Sequence, residues 1–301
     1  LNPDETKEEM QQQNKVRELL SLWTDPDKHS IQRTSVYVFH ALIAKEWRRG
    51  NVFLVGDSAH QTPPFLGQGL VSGVRDAKNI CWKITQVEKY GADPKLLDTY
   101  QTERHPHVDK VIRMAVQFGH LIQVKNKDAA DMRDFVFETL HLFPAVSHAL
   151  TNLERSTLPI GDGLFETNDQ PENTIRKQLI QPSVINSEGK RMLLDETLGK
   201  SFALIGFNVH PANVLQPETK ASLSGLNLQM VKVVPAGASA ETGAITDENW
   251  ELAEWMRSRN ADFILVRPDR YVYGVYNKEN LDEGVQRLRN ALQTGQIMMA
   301  P

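Results

Sequence analysis

The chain of 301 residues reads as an α/β protein in two parts, residues 1–165 and residues 166–301. Three observations carry that reading. An apolar run from Val52 to Val55 stops at Gly56-Asp57, crosses a proline-rich loop and restarts behind Gly67-Gln68-Gly69 with helical periodicity, which is a strand, a turn and a helix in succession. Between Met192 and Leu292 short apolar runs alternate with amphipathic segments, the pattern of strands interleaved with helices. The stretch from Thr151 to Asn173, punctuated by Pro159, Gly161, Gly163 and Pro171, separates the two.

Taken in order, the polar N-terminus predicts a helix from Pro3 to Trp23, with Val16, Leu19, Leu20 and Trp23 at helical spacing and Asp25-Pro26-Asp27 as its stop. Val36 to Phe39 reads as a strand, and its aromatic residues, with His40, read as sheet core in preference to a pocket wall. Ala41 to Arg49 leads into the central strand at Val52. In the helix behind Gly69, the apolar positions Leu70, Val74, Ala77, Cys81 and Ile84 fall on one stripe, so this face is expected to be buried, with Cys81 a small hydrophobe within it. Arg75 and Asp76 read as locally paired or solvated, and His60 as polar support for the loop. Further helices are predicted at Val108 to Val124 and Met132 to Leu150. His105 and His107 lack a carboxylate at ligand spacing, so no metal is expected.

Beyond the boundary the strands are Met192 to Leu194, Phe202 to Phe207, Leu228 to Val234, Phe263 to Val266 and Tyr271 to Val275. The helices are Asp247 to Arg259 and Leu281 to Leu292, and Arg267-Pro268-Asp269-Arg270 is a tight turn by composition.

Lys and Arg number 34 against 38 Asp and Glu, a net charge of −4 with no basic run, which gives little pull toward nucleic acid or anionic lipid. No stretch approaches the ~20 apolar residues that span a bilayer, so no membrane partner is expected and the setting is read as cytoplasmic. One cysteine excludes an internal disulfide or a cysteine-based zinc site.

The chemistry concentrates at residues 56–70. Asp57 at a strand end offers a carboxylate to sugar or ribityl hydroxyls, and a helix start behind glycines presents unpaired amides that favour negative charge. Gly56-Asp57, Pro64, Gly67-Gln68-Gly69, Gly73, Asp76, Asn79 and Trp82-Lys83 together resemble the second FAD-binding motif of the single-component flavoprotein aromatic hydroxylases. The order from Pro63 to Gly69, with Gly73 to Asp76, most resembles the 3-(3-hydroxyphenyl)propionate hydroxylase branch.

That resemblance implies a cofactor site of Gly56, Asp57, Pro64, Gly67, Gln68, Gly69 and Leu70. Asp57 would hold the ribityl chain, Pro64 would lie by the isoalloxazine edge, and the amides at Gly69-Leu70 would face the flavin pyrimidine. The implied activity is hydroxylation of a phenolic aromatic substrate, with NAD(P)H reducing FAD and O2 forming a flavin C4a-hydroperoxide. No catalytic acid or base is assigned. Leu97, Tyr100, Glu103-Arg104 and Pro106 resemble a further family element, in which Glu103 and Arg104 would pin their helix against the flavin domain. The part from residue 166 to 301 resembles the thioredoxin-like domain of several such hydroxylases, with Asn208-Val209-His210-Pro211 where a redox protein has Cys-x-x-Cys, which excludes disulfide exchange. Arg270 stands where the family usually has glycine, a departure that bears on turn geometry.

The chain contains no Gly-x-Gly-x-x-Gly turn for the FAD pyrophosphate and begins without Met. The expectation is therefore the C-terminal portion of a Rossmann-like FAD-binding domain, followed by the thioredoxin-like domain. Its partners would be the missing N-terminal segment of the same protein, a small aromatic substrate and O2, with a homo-oligomer left open. Two other readings are an association module without catalysis, and a serine hydrolase built on Gly56-Asp57-Ser58. The second lacks its base: the last histidine is His210, and no Asp-x-x-His follows Ser58.

Overall fold

The computed structural model describes residues 4–146, 158–238 and 243–297. It divides into two compact units, Leu1–His40 and Ala41–Pro301. The first holds helices α1 (Lys7–Met10) and α2 (Gln13–Ser21) and a 3-10 turn at Pro26–Lys28. Thr6 and Glu9 cap α1 reciprocally, and the single helix expected from Pro3 to Trp23 is broken at Gln11-Gln12. Val36 to Phe39 is not a strand, and Tyr37 is 79% exposed. Strand propensity is largely a measure of fit to a half-buried sheet surface, and here no sheet forms around the aromatic residues.

The second unit opens with four two-residue strands, β1 (Leu42–Ile43), β2 (Arg48–Arg49), β3 (Val52–Phe53) and β4 (His60–Gln61). β1 pairs with β4 and β2 with β3, both antiparallel. Helix α3 (Gly69–Tyr90) follows and ends on left-handed Gly91; α4 (Thr99–Ile122) contains Pro106, and α5 (Lys127–His141) is capped by Asn126. Of the helix expected to reach Leu150, residues 147–150 lie outside the described residues. Among the described residues no helix is long and apolar enough to cross a membrane.

The remaining elements are β5 (Ser183–Ile185), β6 (Arg191–Leu193), α6 (Leu194–Thr197), β7 (Phe202–Phe207), α7 (Pro217–Ser222), β8 (Leu228–Pro235), β9 (Ile245–Asp247), α8 (Glu251–Arg257), β10 (Phe263–Val266), β11 (Val272–Tyr276) and α9 (Leu281–Thr294). Their strands form one seven-stranded sheet in the order β11-β10-β7-β8-β9-β5-β6. β7 runs parallel to β8 and β8 to β9, whereas the other four pairings are antiparallel. The C-terminal part of the chain is therefore a mixed-sheet domain with helices interleaved. Central strands buried on both sides read as unbroken apolar runs. Phe202 and Leu204 face Phe263, Leu281 and Leu288 on one side, while Ala203 and Ile205 face Leu194, Leu252 and Met256 on the other.

The first of those two cores also takes in Trp82 of α3 and Leu96, so α3 packs directly on the sheet domain. Its orientation reverses the expected one. Leu70 is 82% and Val74 60% exposed and Cys81 faces outward, whereas Asp76, Asn79 and Lys83 are fully buried beside Ile80 and Trp82. The physical reason is charge satisfaction: partners distant in the sequence meet these polar groups on the inner face, and buried charge is tolerated when it is paired and hydrogen-bonded.

Candidate functional site

The sequence-predicted residues come together around the start of α3. Gly56 opens a 3-10 turn, Gly56–Ser58, with φ of +60°, a left-handed conformation that glycine adopts without strain. Its backbone rests on Gly73, one turn into the helix, where an added Cβ would lie 3.2 Å from the Cα of Gly56. The Gly56 amide donates to Asp76 Oδ2 at 3.3 Å, and Ser58 Oγ closes the turn by donating to the Val55 carbonyl (2.9 Å) and accepting from the Val55 amide (3.0 Å). Asp57 projects from this turn into solvent.

A second short turn, Pro64–Leu66, ends on left-handed Gly67. The Phe65 ring seats it in a notch at Gly119 of α4, where a Cβ would fall 2.4 Å from the ring. Gln68 precedes α3 without a side-chain cap, and the first helical hydrogen bond runs from the Ser72 amide to the Gln68 carbonyl at 2.9 Å. Nothing lies within 4 Å of where a Cβ would stand on Gly67 or Gly69. Pro64, Gly67 and Leu70 are exposed, while Gly69 and Gln68 are half-buried. An uncapped helix start, open space over two glycines and a solvent-facing carboxylate fit a flat, anionic, polyhydroxylated cofactor.

Beneath this surface lies a buried network whose pairings the sequence does not show. Asp76 Oδ2 bonds His60 Nε2 at 2.6 Å, and Oδ1 accepts from Arg104 Nε at 2.7 Å. Burial alone would raise the Asp76 pKa, but the His60 hydrogen bond and the Arg104 charge hold it below the usual carboxylate value. His60 stacks on Trp47 with ring centroids 5.4 Å apart, which matches its expected role of supporting the loop. His107 Nδ1 lies 3.2 Å from Arg104 Nη1; burial first and the Arg104 charge second push its pKa down to about 3, so the ring is a neutral acceptor. Asp76 therefore fixes the turn that presents Asp57. In the sequence Asp76 belongs to the motif, but nothing local marks His60 and Arg104 as its partners.

A second buried network joins α3 and α4 to the turn between β10 and β11. Arg267 grips Glu103 with two hydrogen bonds, Nη1 to Oε1 at 2.9 Å and Nη2 to Oε2 at 2.7 Å. Glu103 Oε2 also accepts from Lys83 Nζ (2.8 Å) and Asn79 Nδ2 (2.7 Å), and Asp269 takes two further hydrogen bonds from Arg267. Burial opposes ionisation of Glu103, but the charges of Arg267 and Lys83 outweigh it and hold the carboxyl far below its ordinary pKa. The pinning expected of this Glu-Arg pair is thus divided: Arg104 holds α3, and Glu103 holds both α3 and the sheet domain. Arg270 has φ of +71°, so the departure from glycine does fall on a left-handed turn position, where its guanidinium bonds Asp195 and the Gly199 carbonyl. Ser58 has no imidazole partner among the described residues, because His60 is committed to Asp76.

Comparison with solved structures shows the same fold. The flavin-dependent monooxygenase PieE, in complex with FAD and substrate, aligns with a TM-score of 0.67 at 20% identity over 96% of this chain and 56% of its own. OxyS anhydrotetracycline hydroxylase from Streptomyces rimosus aligns with a TM-score of 0.66 at 22% identity, over 95% of this chain and 54% of its own. In sequence, the 3-(3-hydroxy-phenyl)propionate/3-hydroxycinnamic acid hydroxylase of Escherichia coli K12 is 30% identical over 300 residues, which is 96% of this chain and 54% of that protein. The chain spans about half the length of the curated relatives it matches.

Two family models match. Residues 177–291 match the HcaD C-terminal domain, and residues 2–115 match the FAD binding domain. The expectation put the C-terminal portion of a Rossmann-like FAD-binding domain in this chain and the rest on a missing N-terminal segment as its partner; the second match corrects this to FAD-binding-domain sequence carried by the chain itself. Residues 2–115 match the FAD binding domain, and the mixed-sheet domain follows in the same chain.

Proposed function

We propose that this chain acts in an FAD-dependent monooxygenase that hydroxylates a phenolic aromatic substrate with O2 and NAD(P)H. The observation that carries the reading is the open start of α3, where uncapped amides and the bare faces of Gly67 and Gly69 stand beside the turn that presents Asp57. Bound FAD supplies the redox chemistry. The chain supplies binding and orientation. Asp57 accepts hydrogen bonds from the ribityl hydroxyls, and Gly56, held by Asp76, sets its position. The amides at Gly69 and Leu70 would face the pyrimidine side of the ring system and offer it the positive end of the helix dipole, fixed in advance. Gln68, Gly67 and Pro64 complete the wall.

The similarity to the Escherichia coli hydroxylase supports a substrate with a phenol ring and a short carboxylate chain. We place the division between the flavin and substrate part and the C-terminal domain near residue 165. The setting proposed is cytoplasmic, since one cysteine calls for no oxidising compartment. The test supplies the purified protein with FAD, NADH or NADPH and 3-(3-hydroxyphenyl)propionate, and follows nicotinamide oxidation and product mass. Substrate-stimulated oxidation with a product one oxygen heavier is the expected result. Oxidation indifferent to the phenol, with no hydroxylated product from a panel of phenolic acids, would refute the proposal.

A further inference from the structure

A groove of about 700 Å³ lies between α4 and the segment 159–177, on residues distinct from those of the candidate cofactor site. Its apolar walls come from Pro106, Pro159, Ile160 and Ile175. Its charged groups are unbalanced: Lys110, Arg176 and Lys177 face it with Asp162 as the one carboxylate among the lining residues. Arg176 Nη2 bonds Asp162 Oδ1 at 2.6 Å, and Lys177 Nζ reaches only the neutral Asn173 Oδ1 at 3.1 Å. Among the described lining residues, two positive charges have no carboxylate partner.

The backbone under these groups is held in place. Asn173 and Arg176 both adopt left-handed φ, +57° and +63°, and the Arg176 carbonyl accepts from the Ile160 amide at 3.0 Å. Non-glycine residues persist in that region only where the surroundings over-determine them, and such positions cluster at ligand sites. Gly161 lets the segment lie directly on α4, because a Cβ there would fall 2.0 Å from the Thr102 carbonyl oxygen.

From this we infer that the groove is a binding site for a small organic carboxylate with an aromatic or branched apolar body. The carboxylate sits among Lys110, Lys177 and the exposed part of the Arg176 guanidinium, while the body lies against the proline and isoleucine walls. Guanidinium and ammonium groups over a semi-enclosed apolar floor select charge and shape together.

The probe is 4-(trifluoromethyl)benzoate, titrated into the purified protein at low salt and followed by fluorine NMR. Two controls accompany it: 4-(trifluoromethyl)benzamide, which lacks the charge, and inorganic phosphate, which lacks the apolar body. The benzoate is expected to bind at least tenfold more tightly than either and to weaken as salt is added. Lys110→Glu and Arg176→Gln should each raise its Kd tenfold or more, with unfolding temperatures measured alongside. Lys110 is solvent-exposed, so its variant keeps the test valid if Arg176→Gln fails to fold. Saturating FAD and the Asp57→Ala variant should leave this binding unchanged, which separates it from any binding at the flavin site. Equal affinity for the benzamide, an unchanged Kd in Lys110→Glu, or competition by FAD would each overturn the inference.

Discussion

Glu103→Gln tests the buried network that joins α3 and α4 to the sheet domain. In the native protein the fully buried charges balance, with Lys83 and Arg267 against Glu103 and Asp269. Glutamine keeps the shape but leaves one positive charge in excess, and removing one partner of a buried pair costs about 3–5 kcal/mol. At roughly 2.1 cal/mol/K of unfolding entropy per residue, a chain of this size should lose about 5–8 °C in unfolding temperature at pH 7. The pH dependence sharpens the test. Because the Glu103 pKa is lowered in the folded protein, its contribution is present above the ordinary carboxylate range and is lost as pH falls toward about 2. The gap between wild type and variant should therefore close in acid. Burial lowers Lys83 to about 8, so the folded protein releases this proton before the unfolded chain does, and stability gains with rising pH between about 8 and the ordinary lysine value. Without Glu103 that relief begins at lower pH. Adding Lys83→Met to Glu103→Gln should restore part of the loss. Circular-dichroism melts at pH 3, 7 and 9 provide the readout. A loss under 2 °C at pH 7, or a gap independent of pH, would refute the assignment of these charges to one buried network.

Two other outcomes follow from α3. Gly69→Val should leave the unfolding temperature within a few degrees of wild type, because Gly69 has no positive φ and open space at its Cβ position; flavin binding should nevertheless fall at least tenfold, and normal flavin occupancy would show that the glycine only starts a helix. Cys81 in the folded protein should react stoichiometrically with a thiol reagent such as dithionitrobenzoate, since the residue is exposed; a thiol that reacts only after unfolding would contradict the orientation of α3.

The limits of the sequence as a guide are plainest in this helix. Gly67, Gly69 and Gly91 mark its ends, because left-handed turns and helix starts are local matters of backbone sterics. Its buried face is not marked locally: the apolar stripe of Leu70, Val74 and Cys81 points outward. The inner face is set by Glu103, Arg104 and Asp269, which answer Lys83, Asp76 and Asn79 from up to 190 positions away, and no local periodicity encodes that pairing. The strands Phe202–Phe207 and Phe263–Val266 were legible because burial on both sides leaves continuous apolar runs. Val36 to Phe39 shows the reverse case, β-prone residues around which no sheet forms. At the candidate site, Asp57, the glycines and Asp76 could be named from their motif, whereas the pairing of Asp76 with His60 and Arg104 is made only in three dimensions.

The central claim is that the Gly56–Ser58 turn and the start of α3 hold FAD, and the most direct measurement is the FAD dissociation constant of Asp57→Ala against that of wild type. Asp57 is exposed and its removal should not disturb folding. A charged acceptor lost from the ribityl hydroxyls should weaken FAD by about tenfold to a hundredfold at an unchanged unfolding temperature. An FAD dissociation constant equal to that of wild type would contradict the account and place the cofactor elsewhere.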